Sequence, residues 1–362
     1  MEFGVLLPPK MDEWRVLLEA EALGYDSLWI PDSQMIWSDC YAALALVAEN
    51  TQRIRIGTGV AIAGTRIAPV TAHSIASINQ LAPGRVFLGL GTGHTAMRVM
   101  GMPPVKINQF RDYVRVVRAL LDGEEVEYSL NGTTRTIGFL HQEMGFFNLE
   151  HRIPIHIAAN GPRALQTAGE MADGLMSVFN EQPAVLNQNL AMVREGAKKA
   201  SRELPDPFPT ATITAVIPLE DDEPVCSERV IDEAGPWAVA ALHFVWELYQ
   251  QSGSESVVPP AYHGVFEDYC AHVAAMSTPA DKRYLQVHNG HGTFIVPEER
   301  RYMTKEVLEA SCLIGRPSEL IDKLGVAEEN GLTEVTIVPP TKGAQKVMTD
   351  FARHVKSAFN SH

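Results

Sequence analysis

The chain has 362 residues, of which 46% are hydrophobic and 20% charged, with a formal net charge of −14. That composition is globular with ample material for a large core, and the acidic balance excludes a nucleic-acid phosphate backbone as partner. Four scattered cysteines (Cys40, Cys226, Cys270, Cys312) form no C-x-x-C pair, and no apolar run reaches membrane-spanning length. The expectation is a cytoplasmic protein with reduced thiols, no membrane partner and no signal peptide in "MEFGVLLPPKMDEW".

Strands and helices alternate legibly along the chain. "FGVLLP" (3–8) is a buried strand ended by prolines, and 12–26 carries Trp14, Leu17, Leu18 and Leu23 at helical spacing. Strand 26–32, helix 41–50, strand 53–62, helix 71–84, strand 85–91 and the amphipathic helix 107–125 follow. Residues 126–139 are two alternating runs around Asn131-Gly132, a hairpin signal. The alternation resumes with strand 153–159, helix 161–174 with Pro162 in its first turn, strand 175–179, a helix around 183–200 and strand 210–219. Residues 220–331 exceed one crossover and read as a helix plus an insertion at 253–300, then a helix over "RPSELIDKLGVAEENG". Strand 332–340 and a helix to 359 close the chain.

Continuous apolar strands separated by helices imply parallel pairing with both faces covered, and eight such units close a barrel. The predicted fold is therefore α/β, a (β/α)8 TIM barrel over 1–362 as one domain, with an insertion between strands 7 and 8. The insertion serves as a lid or an interface.

"GRVFLGLGTGHTAMRVMG" (84–101) poses the main functional question. A dinucleotide fingerprint needs G-x-G-x-x-G on the first strand–helix turn, opening directly into a helix. Here the glycines follow the fourth strand, are spaced G-x-G-x-G, and "MGMPPVK" is expected to delay the helix. Two readings remain: small residues that let a strand end pack, or a barrel-mouth loop whose Gly91, Thr92 and Gly93 let backbone approach a flat ring.

"GYDSLWIPDS", "AENTQRIRIGTGV", "APGRVFLGLGTG", "RVVRALLDGEEVE" and "AANGPRALQTAGEMADG", in that order, resemble the bacterial luciferase-like superfamily of flavin and deazaflavin oxidoreductases. Within it the likeness is to the methylenetetrahydromethanopterin reductase-like branch. It covers residues 3 to about 200 and, more weakly, 311–340. The family fold is the same barrel.

The resemblance places Asp32 and Ser33 against the cofactor ring, with Asp-Ser here where hydride-transfer members commonly carry Asp-His. It places a bulge with a cis peptide at Gly59-Val60, after Thr58, behind the ring. Ala158, Ala159, Asn160 and Gly161 meet the cofactor phosphate at a helix N-terminus, whose free N–H groups and dipole favour an anion. A plain strand–helix junction reads equally from those residues alone. His94 either bonds the ring or substrate or faces water; with Asp32 it is the catalytic candidate. Trp37, beside Tyr41, walls the substrate cleft or packs the core, and His288 and His291 line the substrate side of the insertion. His141, His151 and His156 lack ligand spacing, and the isolated His-x-x-His of 288–291 signals no metal site.

The resemblance implies an enzyme. Asp-Ser in place of Asp-His favours a monooxygenase using reduced FMN and O2 on a small organic substrate, with a separate flavin reductase supplying the flavin. One alternative is hydride transfer with an F-420-type deazaflavin and no O2. The other is a non-catalytic flavin-binding barrel, disfavoured because Asp32, Gly59, Gly91 and Asn160 are all retained. A homodimer or higher homo-oligomer is expected.

Overall fold

The structure, a computed structural model, describes residues 1–178 and 181–359. The strands are β1 (Glu2–Leu6), β2 (Ser27–Ile30), β3 (Arg55–Ile62), β4 (Val86–Gly91), β5 (Val126–Leu130), β6 (Thr133–Ile137), β7 (Ile155–Ala158), β8 (Gly174–Ser177), β9 (Thr210–Thr214), β10 (Val216–Pro218), β11 (Leu313–Gly315) and β12 (Glu334–Ile337). Eight of them close a barrel in the order β1-β12-β9-β8-β7-β4-β3-β2. The expected (β/α)8 barrel is therefore the fold, and every barrel pairing with a described register is parallel. The strands are short and largely buried: β4, "VFLGLG", is buried throughout. That is the signature of a sheet covered by helices outside and packed side chains inside.

The chain divides into two compact units. The first comprises 1–213 and 327–336; the second comprises 214–326 and 337–362 and includes the 253–300 stretch. Within the second, β10 pairs in parallel with β11 beside a 25-residue helix, Glu228–Ser252. Ser227 caps that helix through Val230 N, and Gly253, at φ 64, ends it in the left-handed conformation that glycine tolerates. Val239, Leu242, Tyr262, Tyr269, Tyr302 and Leu308 belong to that unit's own core.

Several predicted elements differ in detail. The single strand 210–219 is two: β9 completes the barrel, then Ala215 breaks the run and β10 joins a separate sheet. Uniform β-propensity conceals the switch. The helix at 12–26 is a 3-10 turn over Trp14–Leu18 and one helical turn, Glu19–Ala22. A helix does start directly after the glycine loop: His94–Val99, six residues, with Gly93 at φ 84 as its N-cap. It is too short to show a periodicity, and the prolines belong to the stretch before the next helix, Ile107–Leu121. The hairpin falls where expected, with Asn131 and Gly132 both at positive φ as a primed turn requires. Phe179, the end of predicted strand 175–179, lies outside the described residues.

At the amino end of the barrel, Glu334 of β12 is buried and accepts hydrogen bonds from Trp29 Nε1 at 2.8 Å, Thr336 Oγ1 at 2.9 Å and the Ser27 hydroxyl. His156 of β7 stands edge-on to Trp29 of β2 and Phe87 of β4, with ring centroids 5.4 and 5.6 Å away. β2 and β7 are not neighbours, so these rings meet across the barrel interior.

Candidate active site

The carboxyl ends of β2, β3, β4, β7 and β8, consecutive in the barrel, carry the predicted residues. The floor comes first. The Gly59–Val60 peptide is cis, and the β3–β4 register shifts between Thr58 and Ala61. Both features fall at the expected position. Thr58 is buried, its hydroxyl donating to Gly89 O at 2.6 Å. A Cβ on Gly91 would lie 2.9 Å from Val60 Cγ2 and 3.6 Å from Ala158 Cβ; one on Gly89 would lie 2.3 Å from Thr58 O. Val60, Gly91 and Ala158 therefore pack closely, with no free room for a side chain on Gly91. Gly93 differs: its positive φ, with Ile62 and Met97 pressed against it, is what turns the chain into the short helix.

Asp32, after Pro31 at the end of β2, is 4% exposed. Both carboxylate oxygens are engaged: Gln34 Nε2 donates to Oδ1 at 2.6 Å, and Arg66 Nη1 pairs with Oδ2. Arg66 also donates to Asp39 Oδ2 at 2.8 Å and stacks on Tyr41, 4.7 Å from the ring centroid. Asp39 in turn caps the helix Cys40–Asn50 through Ala42 N at 2.9 Å. Burial, followed by the charge of Asp32, pushes the Cys40 thiol far above its ordinary range, so that cysteine is inert. Tyr41 is thus a packed residue under Arg66. Trp37 and Ser33 are partly buried in the loop after β2, where Ser33 O accepts from Trp37 N at 3.3 Å.

His94 opens the short helix, and its Nδ1 accepts from Arg98 Nε at 3.2 Å. Asn160 lies just past β7. Its Oδ1 accepts from the Ser177 hydroxyl at 2.7 Å and Val178 N at 3.1 Å, tying the β7 and β8 ends together. Gly161, which follows, is the N-cap of the ten-residue helix Pro162–Met171 and gives it no side-chain cap. An acidic ligand group at this exposed turn would supply what the cap lacks. Ala159 is buried beneath.

Two further residues stand here that the sequence did not single out. Arg66 is one: nothing local marks an arginine that pairs with a residue 34 positions earlier. Glu181 is the other. It is 8% exposed, just after β8, and accepts from the Thr212 hydroxyl of β9 at 2.7 Å. Burial raises its pKa, against the opposing hydrogen bond from Thr212. A buried carboxyl held toward its neutral form at a barrel mouth is the environment of a proton donor.

His288 and His291 belong to the second unit, where they cluster with His243. His156 lies among the interior rings described above. No helix of the described residues is long and apolar enough to cross a membrane.

A closed parallel barrel with Gly91 packed against Val60 and Ala158 at its carboxyl end, and with an uncapped helix start after β7, offers a place for a flat ring that carries an anionic group. Its relatives are named oxidoreductases, which makes this chain an oxidoreductase dependent on a flavin or deazaflavin. The chain belongs to the family described as luciferase-like monooxygenase, which matches residues 1–334. It is similar to the 5,10-methylenetetrahydromethanopterin reductase of Methanolobus tindarius, 35% identical over 186 residues, which are 51% of this chain and 55% of that protein. It is 26% identical to the enzyme of that name from Methanopyrus kandleri, over 94% of this chain and 93% of the relative. The solved coenzyme F420 dependent tetrahydromethanopterin reductase from Methanopyrus kandleri superposes with a TM-score of 0.73 at 22% identity, covering 99% of each chain.

Proposed function

We propose that this protein transfers a hydride between an F-420-type deazaflavin and a small organic substrate. The observation that carries the ring site is the floor, where Val60, Gly91 and Ala158 leave a surface that a single added Cβ would fill. The similarity to reductases favours the deazaflavin, one of them being described as coenzyme F420 dependent. When bound, such a coenzyme gives or takes a hydride at its ring carbon.

The chain's own residues supply the rest. Gly91, Thr92 and the Gly59–Val60 bulge would hold the ring, and the Gly161 turn would receive its phosphate. The Asp32–Arg66 pair fixes the loop after β2 that carries Ser33 and Trp37. Glu181 donates a proton to the substrate atom that gains one, and Thr212 holds its carboxyl in place. His94, steadied by Arg98, is a second polar contact at the ring edge.

A second reading is favoured by one observation: Ser33 follows Asp32 where the hydride-transfer pattern has histidine. In that reading reduced FMN and O2 are used, and a separate flavin reductase supplies the flavin. Titration with each reduced cofactor, followed by stopped-flow absorbance in air and under argon, separates the two. Deazaflavin binding with hydride exchange and no O2 uptake is the expected result. Binding of reduced FMN with O2 consumption, and no exchange with the deazaflavin, would transfer the conclusion to the monooxygenase. Binding of either without turnover would make the barrel non-catalytic.

A further inference from the structure

Three imidazoles of the second unit gather in one place. His243 lies in the middle of the helix Glu228–Ser252, with Glu247 one turn further along the same face. His288 follows the short helix Arg283–Val287, and His291 follows it in a turn built on Gly290 and Gly292, both at positive φ. His243 is 1% exposed and His288 6%. Ring centroids are 6.0 Å apart for His243–His288, 6.2 Å for His243–His291 and 5.4 Å for His288–His291.

The hydrogen bonds divide the ring nitrogens into two sets. His243 Nε2 lies 2.9 Å from Glu299 Oε1, and His288 Nε2 lies 3.0 Å from Glu247 Oε1. Both carboxylates are buried. The other nitrogen of each ring, together with Nδ1 of His291, is buried with no hydrogen-bond partner. Changing protonation does not remove this deficit: a neutral ring leaves an orphan acceptor, a charged one an orphan donor, and either is costly when buried. Among the described residues this trio is the group of side chains able to hold a metal ion, with one ligand atom of each within 4.8 Å of the others.

We propose that His243, His288 and His291 bind one divalent transition-metal ion of the zinc class through Nδ1. Glu299 and Glu247 then act as outer partners, each accepting Nε2–H of a ligand ring, which fixes its tautomer and raises its basicity. Imidazole donors select zinc, cobalt, nickel or copper over magnesium or calcium. Two carboxylates and three neutral rings sum to −2, which a divalent ion balances. Around zinc, nitrogens at about 2.0–2.1 Å stand about 3.4 Å apart, so the rings need only draw in by up to about 1.4 Å from their present spacing. The glycine-flanked turn at His291 is the element able to make that adjustment. The ion pins the 288–291 turn to the long helix and leaves a fourth position for water. Spacing alone hid the site, because its third ligand lies 45 positions before His288 on a helix.

The test uses the full chain, expressed with zinc supplementation and purified without chelators. Elemental analysis is expected to give one zinc per chain, and chelation to lower the melting temperature. Cobalt(II) added to the stripped protein is expected to give the intense visible bands of a tetrahedral site. His291→Ala, at the partly exposed ligand, should weaken cobalt binding at least tenfold, and Glu299→Gln, one shell out, by roughly 10–100-fold. Zinc below about a tenth of an equivalent, with no cobalt bands and no thermal shift, overturns the proposal. So does unchanged cobalt affinity in His291→Ala. Should a variant fail to fold, the stoichiometry and chelator response of the unmodified protein decide alone. None of these readings involves the redox cofactor, so they stand apart from the barrel site.

Discussion

His156 makes the barrel interior sensitive to acid. Burial pushes its pKa down to about 4, with the charges of Glu334, Arg55 and Asp173 contributing less. Its Nδ1 has no partner and occupies the space left by Gly174, where a Cβ would lie 2.4 Å away. In the unfolded chain the ring titrates near 6.5, so between the two values the unfolded state takes the proton first. The stabilisation is complete above about pH 6.5 and drains away as the pH falls toward 4, where the loss levels off. The gap between the two values corresponds to roughly 3 kcal/mol in full. Moving from pH 7.5 to 4.5 realises most of it, about 2–3 kcal/mol. Urea unfolding of the native chain and His156→Gln at both pH values gives a double difference in which every other titrating group cancels. The native chain should lose about 2–3 kcal/mol more than the variant. Parallel losses, within about 0.5 kcal/mol, would refute the reasoning. So would an NMR titration of the His156 ring in the folded protein with a midpoint near 6.5.

Gly91→Val puts atoms on the floor beside Val60 and Ala158, so cofactor affinity should fall at least tenfold while the far-UV spectrum stays the same; near-normal affinity removes the floor assignment. Asp32→Asn leaves Arg66 without its buried partner and should lower stability by about 3 kcal/mol, checked by thermal unfolding. In Asn160→Asp the new carboxylate keeps the Ser177 and Val178 contacts but stands near the expected phosphate. Affinity for a phosphate-bearing cofactor should drop by about 0.3–1 kcal/mol, with riboflavin as the unaffected control, and an equal loss for both contradicts a phosphate role. Glu181→Gln should cut turnover about 100-fold or more and abolish the fall in rate as the pH rises through the carboxyl's raised pKa; an unchanged pH profile excludes Glu181 as the donor.

The barrel was readable because its strands are continuous apolar runs punctuated by helices at regular intervals, a pattern that local composition carries. The cis Gly59–Val60 peptide was readable only through family likeness, since glycines at a strand end specify neither a cis bond nor a ligand. What escaped depends on contacts between distant residues. Arg66 is bound to Asp32 by loop geometry, Glu181 becomes unusual only once buried against Thr212, and His243 meets His288 only through the folding of its helix. The His94 helix escaped for the opposite reason, being too short for a period.

The buried Glu334 has a consequence for how the polypeptide is made. Its partners Ser27 and Trp29 are 307 and 305 positions away, and β12 sits between β1 and β9. On the ribosome, therefore, seven barrel strands and residues 214–326 of the second unit emerge before the staple that joins the two ends of the sheet. Until then β1 and β9 are open edges, able to pair with another nascent chain. The cell carries that hazard until β12 has been made and has paired with both edges.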